Sequence, residues 1–142
     1  MSTLEEMHSD MGFALREDPV IDVTMGTILS SRANARGHTR YQTREVKAAV
    51  ENGWWAARIT NAREYIRGSD FVLVRWTRIV GPRERPFDDD NATTAVKSIR
   101  DGFAKAIGIN DGDTSRVRYL PVEQVRGLKS GLRVRLYRKA LT

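Results

Sequence analysis

Three consecutive carboxylates, Asp88, Asp89 and Asp90, are followed by Asn91, then by Lys97 and Asp101, and then by Asp111-Gly112-Asp113. Six of the 18 acids therefore fall in one short stretch of an otherwise basic chain. Carboxylates crowded in this way repel one another, and a divalent cation held by oxygen ligands is the usual means of neutralising them. A metal-carboxylate cluster inside a positively charged protein points to chemistry on a phosphate backbone.

Helical counting tests whether these groups can meet. At about 100° per residue, Lys97 and Asp101 lie within roughly 20° of the phase of Asp90. A helix starting near Asp90 would put Asp90, Lys97 and Asp101 on one stripe, largely opposite Val96, Ile99 and Phe103. The stripe would face a cleft while the other side packs on a sheet. Each residue also has an ordinary role. Asp90 or Asn91 is a good helix N-cap, Asp89 can cap as well, and Lys97 with Asp101 makes an i,i+4 pair. Capping needs one acid, however, and the segment offers three.

The elements that must hold these groups are legible in outline. Residues 3–15 predict a short acidic helix, with Met7, Met11 and Leu15 on one side. Val20 to Leu29 reads as a strand after Pro19. Ser30 to Arg40 is a polar, basic loop carrying Arg32, Asn34, Arg36 and His38. A helix is expected from Thr43, as N-cap, through Val46, Val50 and Trp54, with Gly53 a point of weakness. Phe71 to Val80 is almost continuously apolar, as expected of a central strand. Residues 92–107 carry Val96, Ile99, Phe103 and Ile107 at helical spacing and end at Gly108. Arg116 to Val125 and Leu132 to Arg138 predict two strands forming a hairpin around Arg126 to Gly131. The expected fold is therefore α/β (α+β): one compact domain with a mixed sheet in the order β-α-β-α-β-β, preceded by a short N-terminal helix.

Composition narrows the function classes. At 142 residues and 40% hydrophobic content the chain can form one domain with a real core. It has no cysteine, which excludes disulfides and thiolate metal sites and fits a reducing cytosol. No apolar run approaches the roughly 20 residues of a membrane helix, and the N-terminus lacks a signal-peptide pattern. A soluble, cytoplasmic protein with no membrane association is expected.

The charge is unevenly spread. Residues 1–22 hold Glu5, Glu6, Asp10, Glu17, Asp18 and Asp22 against Arg16 alone, a balance of −5, so the rest of the chain carries +11. A basic body suits a polyanionic partner such as nucleic acid, or simply a solvated surface. Strand alternation places Arg116 and Arg118 opposite Val117 and Tyr119, and Arg133 and Arg135 opposite Val134 and Leu136. Arginines gathered on one sheet face need acids or phosphates to offset their repulsion. Trp54, Trp55 and Trp76 suit either the core or base stacking.

The run Arg85-Pro86-Phe87-Asp88-Asp89-Asp90-Asn91, with Lys97, Asp101 and the segment from Gly108 to Asp113, resembles the RusA-type Holliday junction resolvases. These are small homodimeric, Mg²⁺-dependent endonucleases of phages and prophages that act in DNA recombination and repair. The likeness spans about residues 20–138, leaving residues 1–19 as an acidic N-terminal segment before a RusA-like nuclease domain at 20–142. It implies that Asp88, Asp90 and one or both of Asp111 and Asp113 hold Mg²⁺. Lys97 would then offset charge in the transition state. It also implies that Arg32, Asn34, Arg36 and His38 form a DNA-facing loop.

The pattern departs from the family in two places. The family's lysine usually follows the second aspartate by four residues, where this chain has Thr94, and its acidic pair is contiguous, whereas Gly112 intervenes here. The expected activity is Mg²⁺-dependent cutting of four-way DNA junctions by a homodimer. The competing readings are a basic DNA-binding accessory protein with structural acids, and a Mg²⁺-dependent nuclease acting on other DNA structures.

Overall fold

In a computed structural model of the chain, the described residues are 4–26, 39–66, 71–109 and 115–139, with the side chains of 39–46, 65 and 66 set aside. Nine elements follow in order: α1 (Leu4–Arg16), β1 (Ile21–Met25), α2 (Thr39–Ile59), α3 (Ala62–Ile66), β2 (Phe71–Val80), α4 (Asp89–Ile107), β3 (Val117–Tyr119), β4 (Glu123–Arg126) and β5 (Gly131–Lys139). The class is the expected mixed α/β arrangement, with a single five-stranded sheet and an N-terminal helix.

β2 is the centre of the sheet. β5 runs antiparallel along one side of it, and β3 and β4 run parallel, one after the other, along the other side. β1 closes the far side of β5, antiparallel. A strand this apolar needs partners on both edges and cover on both faces, which explains its position. The expected hairpin is therefore corrected, because β4 and β5 lie on opposite sides of β2 rather than beside each other. The step between them spans two interstrand spacings, roughly 10 Å. The turn from Gly127 to Ser130 makes this step across the end of β2, where the Gly127 amide donates to the Val80 carbonyl at 3.0 Å. A Cβ on Gly127 would lie 2.4 Å from Ile79 Cγ2, so any larger residue there must push the Ile79 side chain aside.

The main core lies between the sheet and the helix pair α2 and α4. Val72, Val74 and Trp76 of β2 and Val134 and Leu136 of β5 meet Val96, Ile99, Phe103 and Ile107 of α4. Trp76 is buried edge-on against Phe103 at 5.5 Å, so it belongs to the core and is closed to base stacking. On the other face α1 covers only one end of the sheet, through Ala14, Met11 and Phe13 on Phe71, Leu73, Leu120 and Tyr137.

Two helix starts differ from expectation. α2 begins at Thr39, so Thr43 lies inside the helix rather than capping it; Arg40, Tyr41 and Gln42 contain no helix breaker. α4 begins at Asp89, and its cap is Asp88, whose carboxylate accepts the Asn91 amide at 2.8 Å. Capping by Asp89, Asp90 or Asn91 is thereby corrected, since only a residue outside the first turn can bend back onto its amides. β1 is shorter than expected, stopping at Met25; residues 27–29 of the expected strand lie outside the described residues. Gly53 does not weaken α2. It is where α2 crosses α4.

Candidate functional site

The segment that delivers the aspartates is held by one buried arginine. Arg78 sits near the end of β2, 3% exposed, on the helix side of the sheet. A cation in that position needs acceptors, because an unpaired buried charge is very costly. Its Nη1 donates to the Arg85 carbonyl at 3.1 Å and to Gln124 Oε1 at 2.9 Å. Its guanidinium lies 3.7 Å from the centre of the Phe87 ring, and Nη2 is 3.3 Å from Glu84.

Gln124 of β4 adds a two-point grip. Its Oε1 accepts the Phe87 amide at 2.9 Å and its Nε2 donates to the Phe87 carbonyl at 2.7 Å. Arg126 donates to the carbonyls of Gly81 and Glu84, both at 2.7 Å. The residue just before Asp88 is thus fixed at main-chain and ring, and the start of α4 inherits that rigidity.

Glu84 closes the segment on itself, accepting the Gly81 amide at 2.8 Å and the Ser130 hydroxyl. The Ser130 and Gly81 donors, helped by Arg78, hold its carboxyl below the ordinary value of 4.5. A depressed carboxylate contributes stability in full above its unfolded-state pKa. That contribution is lost as pH falls through the lower folded-state value. Acidification below about pH 4 should therefore loosen residues 81–87, and Glu84→Gln should remove the acid-induced part of the change. Hydrogen exchange at the Gly81 amide against pH checks this; a wild-type profile identical to that of Glu84→Gln would refute it.

At the start of α4, Asp88, Asp89 and Asp90 are all exposed. Asp88 commits one oxygen to the helix cap and keeps the second. Asp90 accepts the Thr94 hydroxyl through its main-chain carbonyl at 2.9 Å, leaving its carboxylate out of that bond. Because α4 is one uninterrupted helix, Asp90, Thr94, Lys97 and Asp101 do share a stripe, with Lys97 exposed and Asp101 half-buried. Asp111 and Asp113 lie outside the described residues, as do Arg32, Asn34, Arg36 and His38. Among the described residues, no group of three or more histidine or acid side chains is placed to hold a metal ion.

The carboxylate oxygens of Asp88 and Asp90 are of the chemical kind that Mg²⁺ takes, although the N-terminal end of a helix itself favours anions. The ion takes oxygen ligands, keeps several waters and is commonly bound by one or two carboxylates together with substrate phosphate. Asp88 and Asp90 offer such hard oxygens at a solvent-facing helix N-terminus.

The sheet arginines have acid partners. Arg118 meets Asp10 at 2.7 Å, and Arg133 donates through Nε to Asp22 at 2.7 Å. Arg135 reaches Thr77 at 2.9 Å and Glu123 at 3.2 Å, and Glu123 also holds Arg75 at 2.7 Å. Arg116 is half-buried and engaged. Hydrogen bonding from Arg133 lowers the Asp22 pKa, and Asp22 in turn raises that of Arg133. The repulsion expected of clustered arginines is offset here by Asp10, Asp22 and Glu123. Of the tryptophans on α2, Trp54 and Trp55 are 37% and 56% exposed and stack edge-on at 5.1 Å.

Residue spacing did not single out Arg78, Gln124, Glu84 or Arg126. The visible signal was Arg75 and Arg78 themselves, two charges in an otherwise apolar central strand that had to find partners. No helix among the described residues is long and apolar enough to cross a membrane. Comparison with protein-family models, with curated proteins and with solved structures returned no match for this chain.

Proposed function

We propose that this protein is a Mg²⁺-dependent endonuclease acting on branched DNA, of the RusA type that its acidic motif resembles. The observation that carries the reading is the presentation of Asp88, Asp89 and Asp90, all exposed, on a segment locked at Phe87 by Arg78 and Gln124. Such rigidity is what a site needs when catalysis depends on positioning and electrostatics. Asp88 and Asp90 would hold the ion, with Asp111 or Asp113 as a further ligand. Bound Mg²⁺ would supply phosphate polarisation and an activated water. Lys97, two turns along the same stripe, would lie beside the phosphate and offset charge developing on its oxygens. The basic body would hold the DNA, and a homodimer would present two such sites for symmetric cutting.

The test is incubation with a labelled four-way junction, a linear duplex and a single strand, with Mg²⁺ or EDTA. Paired nicks in the junction alone, and only with Mg²⁺, are expected. Lys97→Ala should slow that cutting by about tenfold or more with the fold intact. A turnover equal to the wild type would remove Lys97 from the site. A second reading, a DNA-binding accessory protein, is favoured by the structural use of Asp88 as a helix cap. Binding without cutting would select it.

A further inference from the structure

The acidic segment before β1 is not an appendage. α1 lies across one end of the sheet, and its Asp10 is 1% exposed, set between Arg118 Nη1 at 2.7 Å and Lys139 Nζ at 3.1 Å. Two cations converging on one anion form the kind of pair that binds a phosphate oxygen. Here a side chain of the same protein fills that place. The hold of α1 is otherwise modest. Leu4 and Leu15 are 69% and 77% exposed, and its apolar contacts are Met11, Phe13 and Ala14 on one small cluster. Burying an ion pair brings little net stability, because desolvation offsets the attraction. Neutralisation of Arg118 and Lys139 by Asp10 is the component of the α1 contact that a polyanion can replace.

We infer that α1 is an acidic cover over a phosphate-binding surface made by Arg118 and Lys139, with Asp10 standing where a DNA phosphate binds. The inference rests on the nucleic-acid reading above. Phe71, Leu73 and Tyr137 beneath α1 make the covered form the ground state, since lifting the helix exposes them. DNA displaces α1 by binding the uncovered form better, which shifts the population rather than pushing the helix aside.

The test is DNA binding in EDTA, followed by fluorescence anisotropy with a four-way junction and a linear duplex. Asp10→Asn keeps the shape of the side chain and removes its charge. It should tighten binding by about fivefold, with a salt dependence steeper by about one to two units of slope. Adding Arg118→Ala to that variant should cancel the gain. Independently, hydrogen exchange of the wild-type α1 amides should speed up when DNA is bound, while β2 stays protected. The exchange result decides the matter if Asp10→Asn fails to fold. DNA binding with unchanged or slower α1 exchange overturns the cover and leaves the nucleic-acid reading standing, and so does a folded Asp10→Asn that binds no tighter. Absence of binding by both proteins overturns the two together.

Discussion

Gly102→Ala should destabilise the protein by roughly 3 kcal/mol or more, at the upper end of what overpacking a core costs. An added Cβ would lie 1.8 Å from the Val50 carbonyl oxygen of α2, and nothing flexible is there to yield. The reciprocal contact is as tight, since a Cβ on Gly53 would lie 1.8 Å from the Ile99 carbonyl oxygen of α4. Each helix presses its main chain into the notch left by the other's glycine. Alanine normally gains helix propensity over glycine, so a loss in both variants isolates the packing effect. Thermal melting should show a drop of about 10 °C in Tm for Gly102→Ala. A variant as stable as the wild type would mean that α2 and α4 do not cross at these residues. The site would feel the change, because α4 carries Asp90 and Lys97 and packs directly on α2 at this crossing.

That crossing also shows where sequence reasoning reaches and where it stops. β2 was legible to the residue, because ten nearly uninterrupted apolar or β-branched positions satisfy only a strand covered on both faces. The buried side of α4 was legible because Val96, Ile99, Phe103 and Ile107 repeat with the helical period. Local propensity counts Gly53 as a weakness, whereas its use here depends on a helix far away in sequence. The hairpin failed for a related reason. Alternation in Val117 to Tyr119 and Leu132 to Leu136 assigns side chains to faces correctly, and Arg118, Arg133 and Arg135 do lie opposite the core residues. It says nothing about which strand is the neighbour, and β2 claimed both. The aspartates were visible as an anomaly of charge, whereas the Arg78 and Gln124 grip that positions them joins residues 46 apart and leaves no periodic trace.

Asp90→Asn should abolish Mg²⁺-dependent cutting while leaving the fold and DNA binding in place. The side chain is exposed, and the helix cap belongs to Asp88, so neither the core nor the cap depends on the Asp90 charge. Its main-chain carbonyl, which accepts the Thr94 hydroxyl, is untouched by the change. Removing one of three adjacent negative charges also relieves repulsion with Asp88 and Asp89, so junction binding in EDTA should persist or tighten. What disappears is an anionic oxygen ligand, and the rate should fall by about a hundredfold or more, the scale on which losing one preorganised electrostatic group lowers turnover. Asp88→Asn makes the companion experiment, because asparagine caps a helix about as well as aspartate. It should lose cutting with little change in Tm, whereas Asp88→Ala should lose cutting and about 1 kcal/mol of stability as well. If all three variants cut at the wild-type rate, these aspartates serve the helix and the catalytic metal is held by other residues. If Asp90→Asn alone unfolds, its charge holds the structure together in a way that its exposure and hydrogen bonding give no reason to expect.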